Sequence, residues 1–306
     1  ICIAGDDFSM KKYVVVDIGG TSIKHALMTE SGDILEKGSM KTKGDNIDLF
    51  IESIGKVVDS YKEKNEVFGL ACSSPGAVDV KTGFIGGGSA IPCIHGPNIK
   101  ELLEKRCGLE VSIENDANCA GLAEGWLGSA KGVENYACIV IGTGIGGCIV
   151  INGRILRGKH LHGGEFGYMF TRDSEGLTDR IWSEVSSTNA LVTRVSKLKG
   201  IEKSELDGKK VFEMAEDGDE EVNKEIESWY MDLARGIYNI QYIVDPEKIV
   251  IGGAISARDG FDKKINEKLA LLKSDIATLD ISVEKCKFQN DSNLIGALYN
   301  FLFVRK

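Results

Sequence analysis

Two glycine-rich turns hold the residues of this chain whose types and spacing suit chemistry on a phosphate group. The first is DIGGTSIK at residues 17–24, and the second is IGTGIGG at residues 141–147. In both, a strand-like apolar run leads into the turn and an alternating apolar run follows it. Glycines let a phosphate approach the backbone, whose N–H groups then point at its oxygens, and Thr21 and Thr143 add hydroxyl donors. Two such turns on two similar units predict two lobes that hold one nucleotide, as in a phosphotransferase.

Carboxylates stand at the predicted ends of two strands. Asp17 ends the first strand and faces the first turn, where it suits Mg²⁺ binding through water. Asp116 lies in ENDAN, residues 114–118, where a strand ends and a helix is predicted over residues 117–127. Chemistry in α/β folds usually takes place at the carboxyl ends of strands, but Asp116 or Asn115 would equally serve as the helix cap. The residues alone leave these roles of Asp116 open.

Residues 153–180 are rich in glycine, histidine and charge, which is typical of a loop or lid. Within them, His160, His162 and Glu165 form an HxHxxE pattern that suggests a metal site, but no further cysteine or histidine stands nearby. We therefore interpret the segment as an open loop that meets a polar small molecule. The eight cysteines form no CxxC pair and are interpreted as small buried apolar residues in a reducing cytosol.

Length and composition limit the class of protein. A chain of 306 residues suits two domains, and its formal charge of −9 argues against a general nucleic-acid binder. No apolar run approaches the roughly 20 residues that a membrane-spanning helix needs, so we expect a cytoplasmic protein. The first nine residues fit no predicted element and lack the features of a secretory signal. We interpret residues 1–9 as a leader before Met10.

Strands and helices alternate along the chain, and a hairpin opens each half. Helical spacing of apolar residues predicts a helix over 47–62 and a helical region over about 181–243. A third glycine turn follows a strand at 248–251 and is predicted to open a helix. This order indicates two α/β lobes. We place the limits of the lobes at residues 10–116, completed by a C-terminal helix over 292–306, and at residues 117–291.

Taken in order, these motifs resemble those of the ROK family of sugar kinases, within the actin-like ATPase superfamily. DIGGTSIK and IGTGIGG resemble the two phosphate motifs of the family, and VIGGAIS at 250–256 resembles its adenosine motif. ENDANCAG at 114–121 resembles the block with the catalytic aspartate, while PGAVD at 75–79 and GGEFGYM at 163–169 resemble the sugar-side blocks. The resemblance implies an α/β fold of two ribonuclease-H-like lobes with a cleft between them. It also implies ATP and Mg²⁺ as cofactors, and a homodimer that binds a small-molecule sugar.

The resemblance further implies a role for each matched residue. Asp116 matches the general base of the family, which removes a proton from the sugar hydroxyl that attacks the γ-phosphate. The sugar would be bound by Gly76, Asn115, Asp116, His162 and Glu165. The nucleotide would be bound by Asp17, Gly19, Gly20, Thr21, Lys24, Gly142, Thr143, Gly144, Gly252 and Gly253.

Departures from the family pattern bear on the substrate. Tyr168 stands where the family usually has a histidine that ligates zinc and contacts the sugar, and residues 169–200 contain no cysteine for a zinc cluster. In addition, SAIP at residues 89–92 replaces a segment that commonly carries Asn before Leu-Pro. The pattern resembles the zinc-free branch of the family, which includes some bacterial N-acetylmannosamine kinases and β-glucoside kinases. We therefore expect no structural zinc.

We favour N-acetylmannosamine as the sugar, phosphorylated at its 6-hydroxyl, while glucose, a β-glucoside and fructose stay open. The competing class is a DNA-binding regulator of the same family, which carries an N-terminal helix-turn-helix. The first phosphate motif begins seven residues after Met10, which leaves no room for that element. We therefore expect an enzyme.

Overall fold

A computed structural model describes residues 10–172 and 179–304, which form two α/β units. The first unit consists of the described residues up to 123 together with 291–304, and the second consists of the described residues within 124–290. The leader predicted at residues 1–9 lies outside the described residues. Among the described helices, none combines the length and the apolar character that spanning a bilayer requires.

The strands and helices follow one another in an alternating order, as the sequence predicts. The strands are β1 (Lys12–Ile18), β2 (Ser22–Thr29), β3 (Ile34–Lys41), β4 (Val67–Ser74), β5 (Ala77–Val78), β6 (Ile85–Gly86), β7 (Val111–Asn115), β8 (Tyr136–Ile141), β9 (Ile145–Ile151), β10 (Arg154–Ile155), β11 (Phe170–Arg172), β12 (Asp179–Ile181), β13 (Lys248–Gly252) and β14 (Val283–Lys285). The α-helices are α1 (Ile47–Lys62), α2 (Ile99–Cys107), α3 (Asp116–Leu127), α4 (Trp182–Ser186), α5 (Thr188–Lys199), α6 (Gly208–Glu216), α7 (Glu220–Val244), α8 (Phe261–Leu271) and α9 (Ser292–Tyr299).

Each unit is built on a five-stranded sheet, and the two sheets have the same plan. Their strand orders are β3-β2-β1-β4-β7 and β10-β9-β8-β13-β14. In each sheet the first three strands pair antiparallel, while the remaining pairs are parallel. This shared plan accounts for the two similar strand–turn–strand segments in the sequence. The predicted α/β fold class is confirmed.

The core of the first unit lies between its sheet and the helices that cover it. Strand β1 is central in the sheet, and its residues Val14, Val15 and Val16 are fully buried, as expected for a strand that is covered on both faces. Helix α1 begins after Asn46, whose side chain accepts a hydrogen bond from the backbone N–H of Leu49. The helix has the same bounds, residues 47–62, as the apolar spacing predicts.

The core of the second unit is organised by the long helix α7. A stripe of its apolar residues is buried, as the helical spacing predicts, and it consists of Ile226, Trp229, Leu233, Ile237 and Ile240. The helix ends at Val244 because Asp245 adopts a left-handed conformation, with φ at 48°, and stands before Pro246.

The region predicted as helical over 181–243 consists of four helices, α4 to α7, which follow strand β12. The structure differs from the sequence prediction in two other places. The third glycine turn leads into a short 3₁₀ turn at Ala254–Ala257 before α8, and not directly into an α-helix. The predicted C-terminal helix changes after Tyr299 into a π-helical turn over Asn300–Val304.

The boundary between the units lies inside helix α3, between residues 123 and 124. The first turns of α3 pack tightly against α9, because a Cβ atom at Gly296 would overlap the carbonyl group of Cys119. These turns therefore belong to the first unit, whereas the predicted end of the first lobe is residue 116. The division at 116 and 292 stays a prediction about domains.

Candidate active site

The carboxyl ends of β1, β4 and β7 place three polar side chains in a row across the first sheet. Asp17 is in register with Ser73, and Ser73 is in register with Glu114. All three residues are buried, and the relative solvent exposure of Asp17 is 8%. Because parallel strands end at the same edge of a sheet, this edge gathers the acidic groups of the first unit.

Asp17 contacts three side chains from three different elements. Its Oδ1 atom accepts hydrogen bonds from Ser73 Oγ at 2.9 Å and from Asn293 Nδ2 at 3.1 Å. The ammonium group of Lys24 lies 3.9 Å from its Oδ2 atom. The structure thus brings Asp17 and Lys24 together as the motif suggests. It adds Asn293 of α9, which sequence reasoning missed because it stands 276 residues away.

The first glycine turn is held by its own backbone and by Thr42. The N–H of Gly19 donates to the carbonyl of Ser22 at 3.1 Å, and Thr42 Oγ1 donates to the carbonyl of Gly19 at 2.6 Å. A Cβ atom at Gly20 would lie 2.8 Å from the side chain of Ala90. Thr21 is exposed at the tip of the turn, where its hydroxyl group is available to a ligand.

Helix α3 is capped by Asn115 rather than by Asp116. The Oδ1 atom of Asn115 accepts a hydrogen bond from the N–H of Asn118 at 3.0 Å, and its Nδ2 atom donates to the carbonyl of Gly76 at 3.0 Å. Asp116 is the first residue of the helix and is half-buried. Its Oδ1 atom accepts a hydrogen bond from the N–H of Ala117 at 2.8 Å. The capping role therefore belongs to Asn115, and the catalytic role of Asp116 stays a prediction.

A buried cysteine, Cys119, lies in the helix that follows this edge of the sheet. Burial raises the pKa of the Cys119 thiol, and the negative charges of Glu114, Asp17 and Asp116 raise it further. A hydrogen bond with Ser73 acts in the opposite direction. In the sheet, Asp17 and Glu114 lie on either side of Ser73 in register, and Asp116 follows Glu114 by two residues.

Gly76 lies in a tight loop of the first unit. Its φ is +99°, and a Cβ atom there would lie 2.8 Å from the side chain of Ile85 and 3.2 Å from the ring of His95. His95 Nδ1 lies 3.3 Å from the carbonyl of Ile85, so this nitrogen donates. The other nitrogen, Nε2, accepts from Ser89 Oγ at 2.8 Å. Sequence reasoning missed His95 because nothing in its loop indicates this contact.

The loop predicted to meet the sugar lies in the second unit. Glu165 is half-buried, and burial raises the pKa of its carboxyl group while the charge of His162 opposes that rise. His162 is exposed and donates from Nδ1 to the carbonyl of His160 at 2.6 Å. Within residues 10–172 and 179–304, no three His, Cys, Asp or Glu side chains are arranged to hold a metal ion.

Two aromatic side chains follow Glu165 and point away from the protein. Tyr168 is 66% exposed and Phe170 is 72% exposed. Met169 between them is extended and packs against the core of the unit. Tyr168 ends a 3₁₀ turn over Phe166–Tyr168, and Phe170 begins β11. We call these two residues the aromatic pair.

The second and third glycine motifs meet at a cavity of about 760 Å³ in the second unit. Gly142 and Thr143 line it from the β8–β9 turn, and Ala254 lines it directly after Gly253. The N–H of Thr188, at the start of α5, donates to the carbonyl of Gly142 at 3.0 Å. The remaining lining residues come mainly from helices α5 and α6 and their flanks, and they include Asn189, Val192, Lys203, Asp207, Lys209 and Arg258.

The predicted nucleotide residues thus fall into two sets, each within one unit. Asp17, Lys24 and the first glycine turn lie in the first unit. The second set lies in the second unit, where Gly144, Gly252 and Gly253 shape the turns without lining the cavity. The helical lining was missed because α5 and α6 show only capping and apolar patterns in sequence.

Comparison with protein families matches residues 13–303 to the ROK family. A β-glucoside kinase of Listeria monocytogenes is 36% identical, over 95% of this chain and 97% of the relative. An N-acetylmannosamine kinase of Escherichia coli is 28% identical, over 93% of this chain and 96% of the relative.

Solved structures agree with this match. A ROK family protein from Streptococcus pneumoniae, solved in complex with sucrose, has a TM-score of 0.85 and 39% identity, over 95% of this chain and 98% of that chain. A putative N-acetylmannosamine kinase from Listeria monocytogenes has a TM-score of 0.84 and 35% identity, over the same shares. The chain therefore belongs to the ROK family and is a carbohydrate kinase with the actin-like ATPase fold.

Proposed function

We propose that this protein transfers the γ-phosphoryl group of ATP to the 6-hydroxyl of the glucosyl unit of a β-glucoside, such as a β-linked disaccharide. The observation that carries the substrate is the aromatic pair, which lies three and five residues after Glu165. The apolar C–H face of a sugar ring packs well on an aromatic ring. An exposed aromatic pair that follows the proposed sugar glutamate so closely in sequence therefore suits a substrate with a second ring, and the β-glucoside kinase relative supports the same choice.

N-acetylmannosamine, which the sequence analysis favours, is the second candidate. It is supported by the similar structure that is described as a putative kinase of this sugar. The N-acetylmannosamine kinase of Escherichia coli is less similar in sequence to this chain than the β-glucoside kinase of Listeria monocytogenes is. A single sugar ring would also offer less apolar surface to the aromatic pair than a disaccharide, and for both reasons we rank it second.

In the proposed reaction, Asp116 accepts the proton of the 6-hydroxyl as that oxygen attacks the γ-phosphate. Phosphoryl transfer needs little covalent chemistry from the protein, so one carboxylate that orients the nucleophile is sufficient. The structure supports this role because Asn115 caps α3. Glu165 and His162 would bind sugar hydroxyls, and Gly76 with Asn115 would complete the sugar side.

Both sets of glycine turns would take part in nucleotide binding. The adenosine part suits the cavity of the second unit, which has the volume of an ordinary small-ligand pocket. The phosphates would meet backbone N–H groups of the glycine turns, with Thr21 and Thr143 as hydroxyl donors. Lys24 would add a positive charge on the side of the first unit.

The donor set at Asp17 fits a magnesium ion that the nucleotide carries. Mg²⁺ usually retains several waters and is bound by one or two carboxylates together with substrate phosphates. Asp17 offers one oxygen, Oδ2, that accepts no hydrogen bond among the described residues. When bound, the ion would neutralise charge on the phosphates, and Asp17 would hold it through water.

On the family resemblance alone, we further propose that the protein acts as a homodimer in the cytoplasm. Light scattering on the purified full chain tests the first part. A mass equal to that of one chain, at concentrations where the enzyme is active, would contradict it.

A sugar panel tests the substrate. Initial rates of ADP release are measured with cellobiose, a second β-glucoside, N-acetylmannosamine, glucose and fructose, at equal concentrations of Mg·ATP. We expect the highest kcat/KM with the β-glucosides. A higher value with N-acetylmannosamine would establish the second candidate, and no turnover of any sugar would contradict the proposed activity.

A further inference from the structure

The geometry points to Ser73 and Asn293 as positioning residues that fix the orientation of the Asp17 carboxylate. The inference rests on the proposed function, because it assumes that Asp17 acts on the metal-bound nucleotide. It concerns residues outside the motifs that indicate the nucleotide site. Neither residue needs to touch the substrates, since both would act through Asp17.

Both hydrogen bonds to Asp17 are made to the same oxygen atom. Ser73 Oγ and Asn293 Nδ2 lie 2.9 Å and 3.1 Å from Oδ1, whereas Lys24 lies nearest to Oδ2, at 3.9 Å. Rotation of the carboxylate would break both hydrogen bonds in a site that is almost closed to water. The two donors therefore hold Oδ2 in the direction that is left for a ligand.

Each donor is itself held in place. Ser73 is fully buried in β4 and lies in register with Asp17. Asn293 is the second residue of α9, whose start is tied to β3 by the ion pair of Lys37 with Asp291 at 3.0 Å. The close packing of Gly296 against Cys119 fixes the rest of α9. Donors with so little freedom orient an acceptor more strictly than mobile side chains do.

The two oxygens of Asp17 would therefore have different roles. Oδ1 accepts the hydrogen bonds that fix the carboxylate, and Oδ2 faces the metal that the nucleotide carries. Loss of one donor should leave Asp17 charged but free to rotate. The affinity for the nucleotide with its metal should therefore fall, while affinity for the metal-free nucleotide and for the sugar should not.

The test compares Asn293→Ala and Ser73→Ala with the wild type by calorimetry, using a non-hydrolysable ATP analogue with Mg²⁺ and with EDTA. Ser74→Ala is the matched control, because Ser74 is equally buried in β4 but its hydroxyl donates to the carbonyl of Pro75. We expect each test variant to bind the Mg²⁺ form about tenfold more weakly, as for a lost hydrogen bond to a charged group. The metal-free form and the sugar KM should change less than about twofold, and the control should match the wild type.

A combined variant shows whether the effect passes through Asp17. In an Asp17→Asn background, Asn293→Ala should cause no further loss of Mg²⁺-dependent affinity. If Asn293→Ala proves unstable, Asn293→Leu removes the donor while keeping a similar side-chain volume and should show the same selective loss.

Failure of the inference and failure of the proposed function give different results. If Asp17→Asn lowers Mg²⁺-dependent affinity while Asn293→Ala, Asn293→Leu and Ser73→Ala all match the wild type, the positioning role is wrong. If Asp17→Asn itself matches the wild type, the proposed role of Asp17 is wrong and the inference falls with it. Equal weakening of the metal-free and Mg²⁺ forms would indicate a merely structural role and would also overturn the inference.

Discussion

Substitution of Asp116 by asparagine separates the chemistry of this carboxylate from its structural contribution. Removal of a general base lowers kcat by about 10²- to 10⁴-fold. At about 1.4 kcal/mol for each factor of ten, this is a loss of about 3–5 kcal/mol of transition-state stabilisation. We therefore expect Asp116→Asn to retain only a small fraction of the wild-type phosphorylation rate, while the sugar still binds.

The structural cost of the same substitution should be small. The Oδ1 atom of Asp116 accepts a hydrogen bond from the N–H of Ala117 at 2.8 Å, and an asparagine oxygen can accept the same bond. The substitution also removes a negative charge in the first turn of α3, worth about 0.3–1 kcal/mol. Asn115→Ala provides the contrast, because it removes the cap of α3 at a cost of about 1 kcal/mol.

The assay measures kcat by coupled ADP release, the sugar affinity by calorimetry and the free energy of unfolding in urea for both variants. The expected pattern is a large loss of kcat with near-normal stability for Asp116→Asn. Asn115→Ala should show the larger loss of stability. Retention of more than about a tenth of the wild-type kcat by Asp116→Asn would remove the residue from the role of base. Loss of kcat only in proportion to unfolded protein would refute the reasoning as well.

Three further predictions concern other parts of the molecule. Glu124 is fully buried and accepts from the backbone N–H groups of Ser129, Lys287 and Phe288 at 2.8–3.0 Å. Glu124→Ala should therefore lower the free energy of unfolding by about 3 kcal/mol or more in urea titrations. Glu124→Gln should lower it less, and equal losses of stability in the two variants would contradict this account. Tyr168→Ala should raise the KM for cellobiose about three- to tenfold and leave the KM for glucose unchanged. Tyr168→Phe, which retains the ring, should resemble the wild type. Equal effects of Tyr168→Ala on the KM of both sugars would argue against stacking of a second sugar ring. The dialysed protein should contain no stoichiometric zinc and should stay folded in chelators, so one zinc per chain by elemental analysis would contradict the zinc-free assignment.

The sequence by itself determined the elements whose signals are local. The glycine turns between alternating apolar runs predicted the hairpins β1–β2 and β8–β9, and helical spacing predicted α1 and the stripe of α7. The position of Asp17 and Asp116 at strand ends was also readable, because a strand end is marked by the residues next to it. The similar spacing in the two halves indicated that the fold is duplicated.

Only the tertiary structure decided the contacts that join distant segments. Asn293 reaches Asp17 because α9 packs in the first unit, and no local pattern marks an asparagine that meets an aspartate 276 residues away. The cavity in the second unit depends on the start of α6 and on Asn189 of α5, whose sequences show only a cap and an apolar stripe. The choice of Asn115 as cap was equally hidden, since Asn115 and Asp116 have similar capping preference and geometry alone separates them. Local preferences act within a few residues of the chain, whereas packing selects which distant side chains meet, and for that reason the motifs were predictable and their partners were not.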